Sequence, residues 1–176
     1  MTSLREAPDE YDLDFASETV SVNSLRKLEK FSPDGVDADL MLASTNTGKL
    51  YLIGVFKADG DFFQEEIKFP GNDQISEVAE TRDLLIMTTV RDHNVIIYKS
   101  NNLLTPSSSF KVNEGITTLQ AIHGGALLVA TLSGSLQSYD LSKVAVGPLQ
   151  ANAVTDIPEL GHVTQLIELP WQVNGQ

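Results

Sequence analysis

Three histidines, His93, His123 and His162, are the side chains best suited to metal binding or acid–base work, and they lie 30 and 39 residues apart. Metal sites draw ligands from short spacings such as His-x3–5-His. This wide spacing therefore assigns the histidines to turns or to contacts made once per structural unit. The chain has no cysteine, which removes disulfides, thiolate ligands and Cys–His nucleophile pairs. No Gly-x-Ser-x-Gly elbow occurs, so an activated serine has no local support. Asn46-Thr47-Gly48-Lys49 offers a lysine near a glycine, but it lacks the second glycine and the following helix that a phosphate loop needs, and it reads as a hairpin turn. Asp59-Gly60-Asp61 opens like a calcium loop without the later acidic ligand, and Glu65-Glu66 beside Phe62-Phe63 reads as strand alternation at a solvated edge. No catalytic residue, metal or cofactor is expected.

Charge narrows the partners. Twenty-four acidic residues against twelve basic ones leave a formal net charge of −12 over 176 residues. Such a surface repels phosphate backbones and anionic lipid heads, which points away from nucleic acid and bare membrane and toward protein partners, basic ones included. The N-terminal residues lack the basic start and apolar stretch of a signal peptide. No run approaches the ~20 apolar residues of a membrane span, and no Asn-x-Ser/Thr acceptor occurs. An intracellular protein, cytoplasmic or nuclear, is expected.

Residues 1–18 carry Glu6, Asp9, Glu10, Asp12, Asp14 and Glu18 against Arg5 alone. Too few apolar side chains are present there to offset the entropy of ordering, so an acidic tail is expected. Within it, Tyr11, Leu13 and Phe15 alternate with acids and fit a strand added to a sheet edge. From residue 19 to residue 176 short apolar runs follow one another: Leu40–Ala43, Leu50–Ile53, Leu84–Met87, Val95–Tyr98, Leu127–Ala130 and Leu136–Tyr139. Each is bounded by Gly, Asn, Asp or Ser, and none sustains an apolar 3–4 period, so the fold class is all-β.

Three of these segments superpose as text: residues 40–56, 84–100 and 127–142. Leu42-Ala43-Ser44-Thr45-Asn46-Thr47-Gly48-Lys49-Leu50 matches Leu128 to Leu136 position for position, 86 residues later, and the middle copy lies halfway with a slip of one or two residues at its turn. The period is close to 43 residues, the length of a four-stranded antiparallel propeller blade. A single such sheet cannot bury both faces; stacking blades around an axis does.

The middle copy, Thr88-Thr89-Val90-Arg91-Asp92-His93-Asn94-Val95-Ile96-Ile97-Tyr98, resembles the second strand, Asp-containing turn and third strand of the WD-repeat family, with Tyr98 where Trp is usual. Tyr139-Asp140-Leu141 resembles the family's Trp-Asp-Leu ending. Gly161-His162, followed by Val163 to Pro170, resembles the Gly-His pair and inner strand of a next blade. The resemblance covers roughly residues 35–170. It implies a blade-locking hydrogen-bonded set drawn from Thr88, Asp92, Tyr98 and His162. No copy holds a full set: the turns at Asn46-Thr47-Gly48 and Leu132-Ser133-Gly134 lack the Asp, and Trp171 lies outside the motif.

Three repeats fall short of the ~4–8 blades of a closed propeller. The resemblance thus implies three to four blades of a partial propeller, either a fragment of a longer protein or one that closes by pairing. Propellers present partner-binding side chains at blade ends, which nominates Asn46, Arg91, His93 and Leu132. The function expected is a non-enzymatic interaction scaffold of the trafficking, nuclear-pore or mitotic type. Two rivals are a ligand-binding or hydrolytic propeller, which needs inward carboxylates at equivalent blade positions, and a β-sandwich, which has no 43-residue symmetry. Leu104-Thr105-Pro106-Ser107-Ser108-Ser109 reads as a flexible, hydroxyl-rich connector.

Overall fold

Residues 21–33, 35–68, 73–144, 147–157 and 163–167 are described by a computed structural model. They form twelve strands in three antiparallel sheets of four, each a meander in chain order. The first sheet holds β1 (Val22–Leu28), β2 (Ala38–Thr45), β3 (Leu50–Phe56) and β4 (Phe62–Ile67). The second holds β5 (Ile75–Glu80), β6 (Leu84–Thr89), β7 (Asn94–Lys99) and β8 (Ser108–Lys111). The third holds β9 (Ile116–Ile122), β10 (Ala126–Thr131), β11 (Ser135–Asp140) and β12 (Ala151–Asp156). The three repeat segments lie on the central hairpins β2–β3, β6–β7 and β10–β11.

The middle sheet shows why the runs are apolar throughout rather than alternating. Successive side chains of a strand face opposite sides, and here both sides are covered. Leu85, Met87, Ile96 and Tyr98 enter a core shared with Leu40, Leu42, Leu50, Leu52 and Ile67 of the first sheet. Ile86, Val95 and Ile97 enter a second core with Leu119, Leu127, Val129 and Tyr139 of the third. All seven middle-sheet side chains are at most 1% exposed. Each contributes about 2–3 kcal/mol through burial, so truncating any of them to alanine would open a cavity between two blades. The outermost strands differ: β12 is exposed along its whole length and β1 is exposed up to Leu28.

The expected connector at 104–109 is more ordered than its composition implies. Asn102 Oδ1 accepts the N–H groups of Leu104 and Thr105, both at 3.1 Å, and Ser108 begins β8 with its hydroxyl on the Gly147 carbonyl. A single asparagine replaces the backbone acceptors that a loop lacks. Residues 163–167, expected at the start of a further blade, carry no strand. Thr164, Gln165 and Leu166 instead line an axial pocket with the inner strands β1, β5 and β9. The acidic tail with Tyr11, Leu13 and Phe15, the Gly161-His162 pair and Trp171 lie outside the described residues. Among the described residues no helix is long and apolar enough to cross a membrane, and no three His, Asp or Glu side chains group as a metal site would.

Candidate functional site

The hairpin turns joining the second and third strand of each blade gather at one rim. The strand before each turn ends in a buried threonine: Thr45, Thr89 and Thr131. In the first blade Thr45 Oγ1 accepts from Lys49 N–H at 3.1 Å, and in the second Thr89 Oγ1 accepts from Asn94 N–H at 3.0 Å. In the third, Thr131 Oγ1 donates to the Ser135 carbonyl at 3.4 Å. The threonine side chain thus closes the hairpin from within, a hydroxyl standing in for a missing ladder contact. The turn then needs one left-handed residue, which Gly48 (φ 78°), Gly134 (φ 84°) and His93 (φ 52°) supply. The middle turn is one residue longer, the physical content of the slip in the middle copy.

This alignment adds one residue to the rim. The turn-tip positions equivalent to Asn46 and Leu132 are occupied by Val90, not Arg91, because Arg91 falls in the longer part of the middle turn. The same backbone bond recurs at each tip. Asn46 N–H donates to the Ser21 carbonyl at 3.0 Å, Val90 N–H to Gln74 at 2.9 Å, and Leu132 N–H to Gly115 at 2.9 Å. Each turn is therefore anchored to the segment leading into its own blade.

Further N–H groups of the turns, or of the segments they meet, are capped by side chains from the other partner. In the first blade the turn supplies the acceptor: Asn46 Oδ1 takes Ser21 N–H at 3.0 Å. In the second the entering segment supplies it. Asp73 Oδ2 takes the N–H groups of Arg91 and Asp92, both at 2.9 Å, while Oδ1 takes Gln74 N–H at 2.8 Å. Asp73 is only 8% exposed. Burial pushes its carboxyl up, but the N–H groups of Asp92, Arg91 and Gln74 and the Thr89 hydroxyl outweigh that and hold it below the usual carboxylate range. In the third blade Glu114 does the same work, its pKa lowered by hydrogen bonds from Ser133 and Thr131.

Asp92, read from the sequence as the locking carboxylate, therefore enters through its backbone N–H, and Asp73 carries the charge. Asp73 was not expected from the sequence, because the resemblance pointed to an Asp within the turn itself. The available signal was an acid two residues before an inner strand in two blades, Asp73 and Glu114. Thr88 is fully buried; its hydroxyl pairs with Ser76 Oγ at 2.7 Å and accepts Glu77 N–H at 3.1 Å, tying β6 to the bulge of β5. Tyr98 donates to the Lys68 carbonyl at 2.6 Å, linking the second blade to the end of the first, and burial pushes its pKa up to about 12. His162 lies outside the described residues.

Asn46, Arg91, His93 and Leu132 do share the rim. Leu132 is 62% exposed and Val90 48%. Leu132 leans over Gly115, where an added Cβ would meet its Cδ1, and His93 Nε2 lies near the same position. The rim thus presents two apolar tips on neighbouring blades, with Arg91 and Asp92 following Val90 in its turn and His93 near Leu132 at the seam.

Blades stacked by their sheet faces, with inner strands toward a common axis, define a β-propeller arc. Solved structures place it more closely: Sqt1 of Saccharomyces cerevisiae matches with TM-score 0.61 at 12% identity over 88% of this chain and 40% of that one. A chain of the mitotic checkpoint complex matches with TM-score 0.59 at 13% identity over 90% and 44% respectively. The fold is a WD40-like propeller of about three blades. The chain spans less than half the length of either of these two chains. No protein-family model and no curated protein matches the sequence.

Proposed function

We propose that this chain is a non-enzymatic interaction scaffold, a propeller portion of a larger intracellular assembly, whose hairpin rim docks protein partners. The observation that carries the reading is the pair of exposed apolar tips, Val90 and Leu132, held on adjacent blades by turns whose N–H groups are capped. Rigid presentation of apolar side chains lowers the ordering cost of binding, and Arg91 beside Val90 suits an interface core. The acidic balance of the chain favours a partner with basic flanks. One of the similar chains was solved within an assembly, the mitotic checkpoint complex, which supports the same reading.

The test is affinity capture of the tagged full-length protein from its native cells, with mass spectrometry after a salt wash, beside a Val90→Asp/Leu132→Asp variant. Stoichiometric proteins retained by the parent and lost by the variant are expected. Partners retained equally by both would move the docking surface off this rim. A protein that captures nothing would remove the scaffold reading.

The second reading, a ligand-binding or hydrolytic propeller, has one observation in its favour. Glu77 lies at the axial pocket of about 540 Å³, its pKa raised by burial and moderated by Arg26. The corresponding inner-strand positions, by ladder register, are Ser24 and Thr118. A single carboxylate among a serine and a threonine does not make the inward ring that reading needs.

A further inference from the structure

The connections between first and second strands gather at the opposite rim, and they differ in length. The first blade uses residues 29–37, the second 81–83 and the third 123–125. The long connection folds over the edge of the second blade. Its Phe31 is 3% exposed and belongs to the core between the first two blades. Glu29 and Phe31 N–H groups donate to the two oxygens of Glu80, both at 2.9 Å, and Ser32 N–H donates to the Arg82 carbonyl at 3.0 Å. An aromatic side chain with hydrogen-bonded flanks therefore fills the notch between the first and second blades.

One blade further on, the same notch is a groove of about 900 Å³ floored by Leu84, Ala121, Ile122 and Leu141. The three-residue connection 81–83 is too short to cross it as residues 29–37 cross the first notch. The groove is continuous with the filled one, since Lys30 and Ser32 border it as well. Ladder register puts Ala121 where Glu80 stands one blade earlier: Glu80 pairs with Leu85 and Ala121 with Leu127. The second notch thus keeps the apolar floor and loses the carboxylate cap, so an occupant is held by its side chain more than by its backbone.

We propose that the notch between the second and third blades takes an extended segment of a partner protein through one aromatic side chain, as the first notch takes Phe31. Within the chain the pseudo-equivalent notch already shows which chemistry fits. A groove of this size and lining suits a single buried anchor. The surface is distinct from the rim of Val90 and Leu132, at the other end of the strands.

The probe is a ten-residue peptide with the sequence of residues 27–36 of this chain, labelled for fluorescence anisotropy and added to the full-length protein, whose amide resonances are followed in parallel. Saturable binding is expected, with shifts confined to residues 82–84, 122–125 and 141–142. Removing the ring (Phe31→Ala in the peptide) is expected to weaken binding about tenfold or more, as for a hot-spot anchor. Ile122→Arg in the protein should do the same, with Ser142→Trp as a second way to fill the groove if the first variant does not fold. Val90→Asp/Leu132→Asp should leave binding unchanged, which separates this surface from the hairpin rim. Absence of saturable binding, equal binding of the Ala peptide, or shifts located elsewhere would overturn the proposal. Concentration-dependent shifts of the same residues without peptide would also overturn it, by naming a second copy of the chain as the occupant.

Discussion

The second and third blades share one plan and differ in how completely its polar locks are made. In the second, Asp73 caps two turn N–H groups from a buried position, Tyr98 reaches across to the Lys68 carbonyl of the preceding blade, and Ser76 pairs with Thr88. In the third, Glu114 is more exposed, and Tyr139, at the place of Tyr98, bonds Gln137 two residues back on its own strand at 2.6 Å. Ala130 stands where Thr88 does, and Thr117 Oγ1, the counterpart of Ser76, is buried and finds no hydrogen-bond partner among the described residues. What repeats in this fold is a backbone need, an anchored turn and a closed bulge, and side chains of different type meet it from either strand. The middle blade, with a blade on each face, is where the needs are met most fully.

Breaking the strongest lock gives the largest expected effect. Asp73→Ala strands two N–H groups in a buried setting and should lower stability by about 2–3 kcal/mol, read as the urea midpoint. Glu114→Ala should move the same midpoint far less. Because the folded Asp73 carboxyl titrates below its unfolded value near pH 3.9, its contribution is complete above that pH. It is lost as pH falls through the lower, folded value. Acid unfolding of the parent should therefore steepen below about pH 4, and Asp73→Asn should flatten that limb.

Next comes the pair of tyrosines. Tyr98→Phe leaves the Lys68 carbonyl without its donor and should cost about 1–1.5 kcal/mol, whereas Tyr139→Phe loses only a contact on its own strand and should cost clearly less. Tyr98 also sets an alkaline limit. Its folded pKa of about 12 lies above the ordinary value of 10.0, so its contribution is full below pH 10 and is lost as pH rises toward 12. Tyr98→Phe should remove that component of alkaline unfolding. The third effect runs the other way. Ala130→Ser offers Thr117 the partner that Thr88 gives Ser76 and should stabilise the chain by about 1 kcal/mol. In a Thr117→Val background the gain should vanish, which a double-mutant cycle in urea would show.

The blades were legible because burial on two faces leaves an unusual text: apolar runs such as Val95-Ile96-Ile97-Tyr98 that repeat at a fixed spacing. Asn46-Thr47-Gly48 and Leu132-Ser133-Gly134 announce their hairpins because only glycine takes φ near +80° without strain. The lock was less legible. Asp73 is 18 and 19 residues from the two N–H groups it caps, and its place just before an inner strand does not name the turn it reaches; only the closing of the sheet brings it to Arg91 and Asp92. Thr88 and Thr89 are neighbours with opposite duties, one tied to the bulge and one closing the hairpin, and strand parity decides which does which. Val90 was hidden by the extra residue in the middle turn, which shifts Arg91 into the textual place of Asn46. The notch filled by Phe31 depends on connection lengths, and a sequence repeat compares strands more readily than the gaps between them.

The same turn holds the smallest effect and the one that most sharpens the comparison. His93 takes the left-handed position that glycine takes in the other two turns, at φ 52° against 78° and 84°. A side chain there costs about 1 kcal/mol, partly offset because glycine loses more freedom on folding. His93→Gly should therefore raise the urea midpoint slightly, by about 0.5 kcal/mol in stability, while Gly134→Ala in the third blade should lower it. If His93 is retained at the seam for docking, the stabilised His93→Gly protein should hold its partners less well in the capture experiment than the parent does, a trade of stability against binding. If capture is unchanged, the histidine belongs to the turn alone, and the docking surface reduces to the two apolar tips and Arg91.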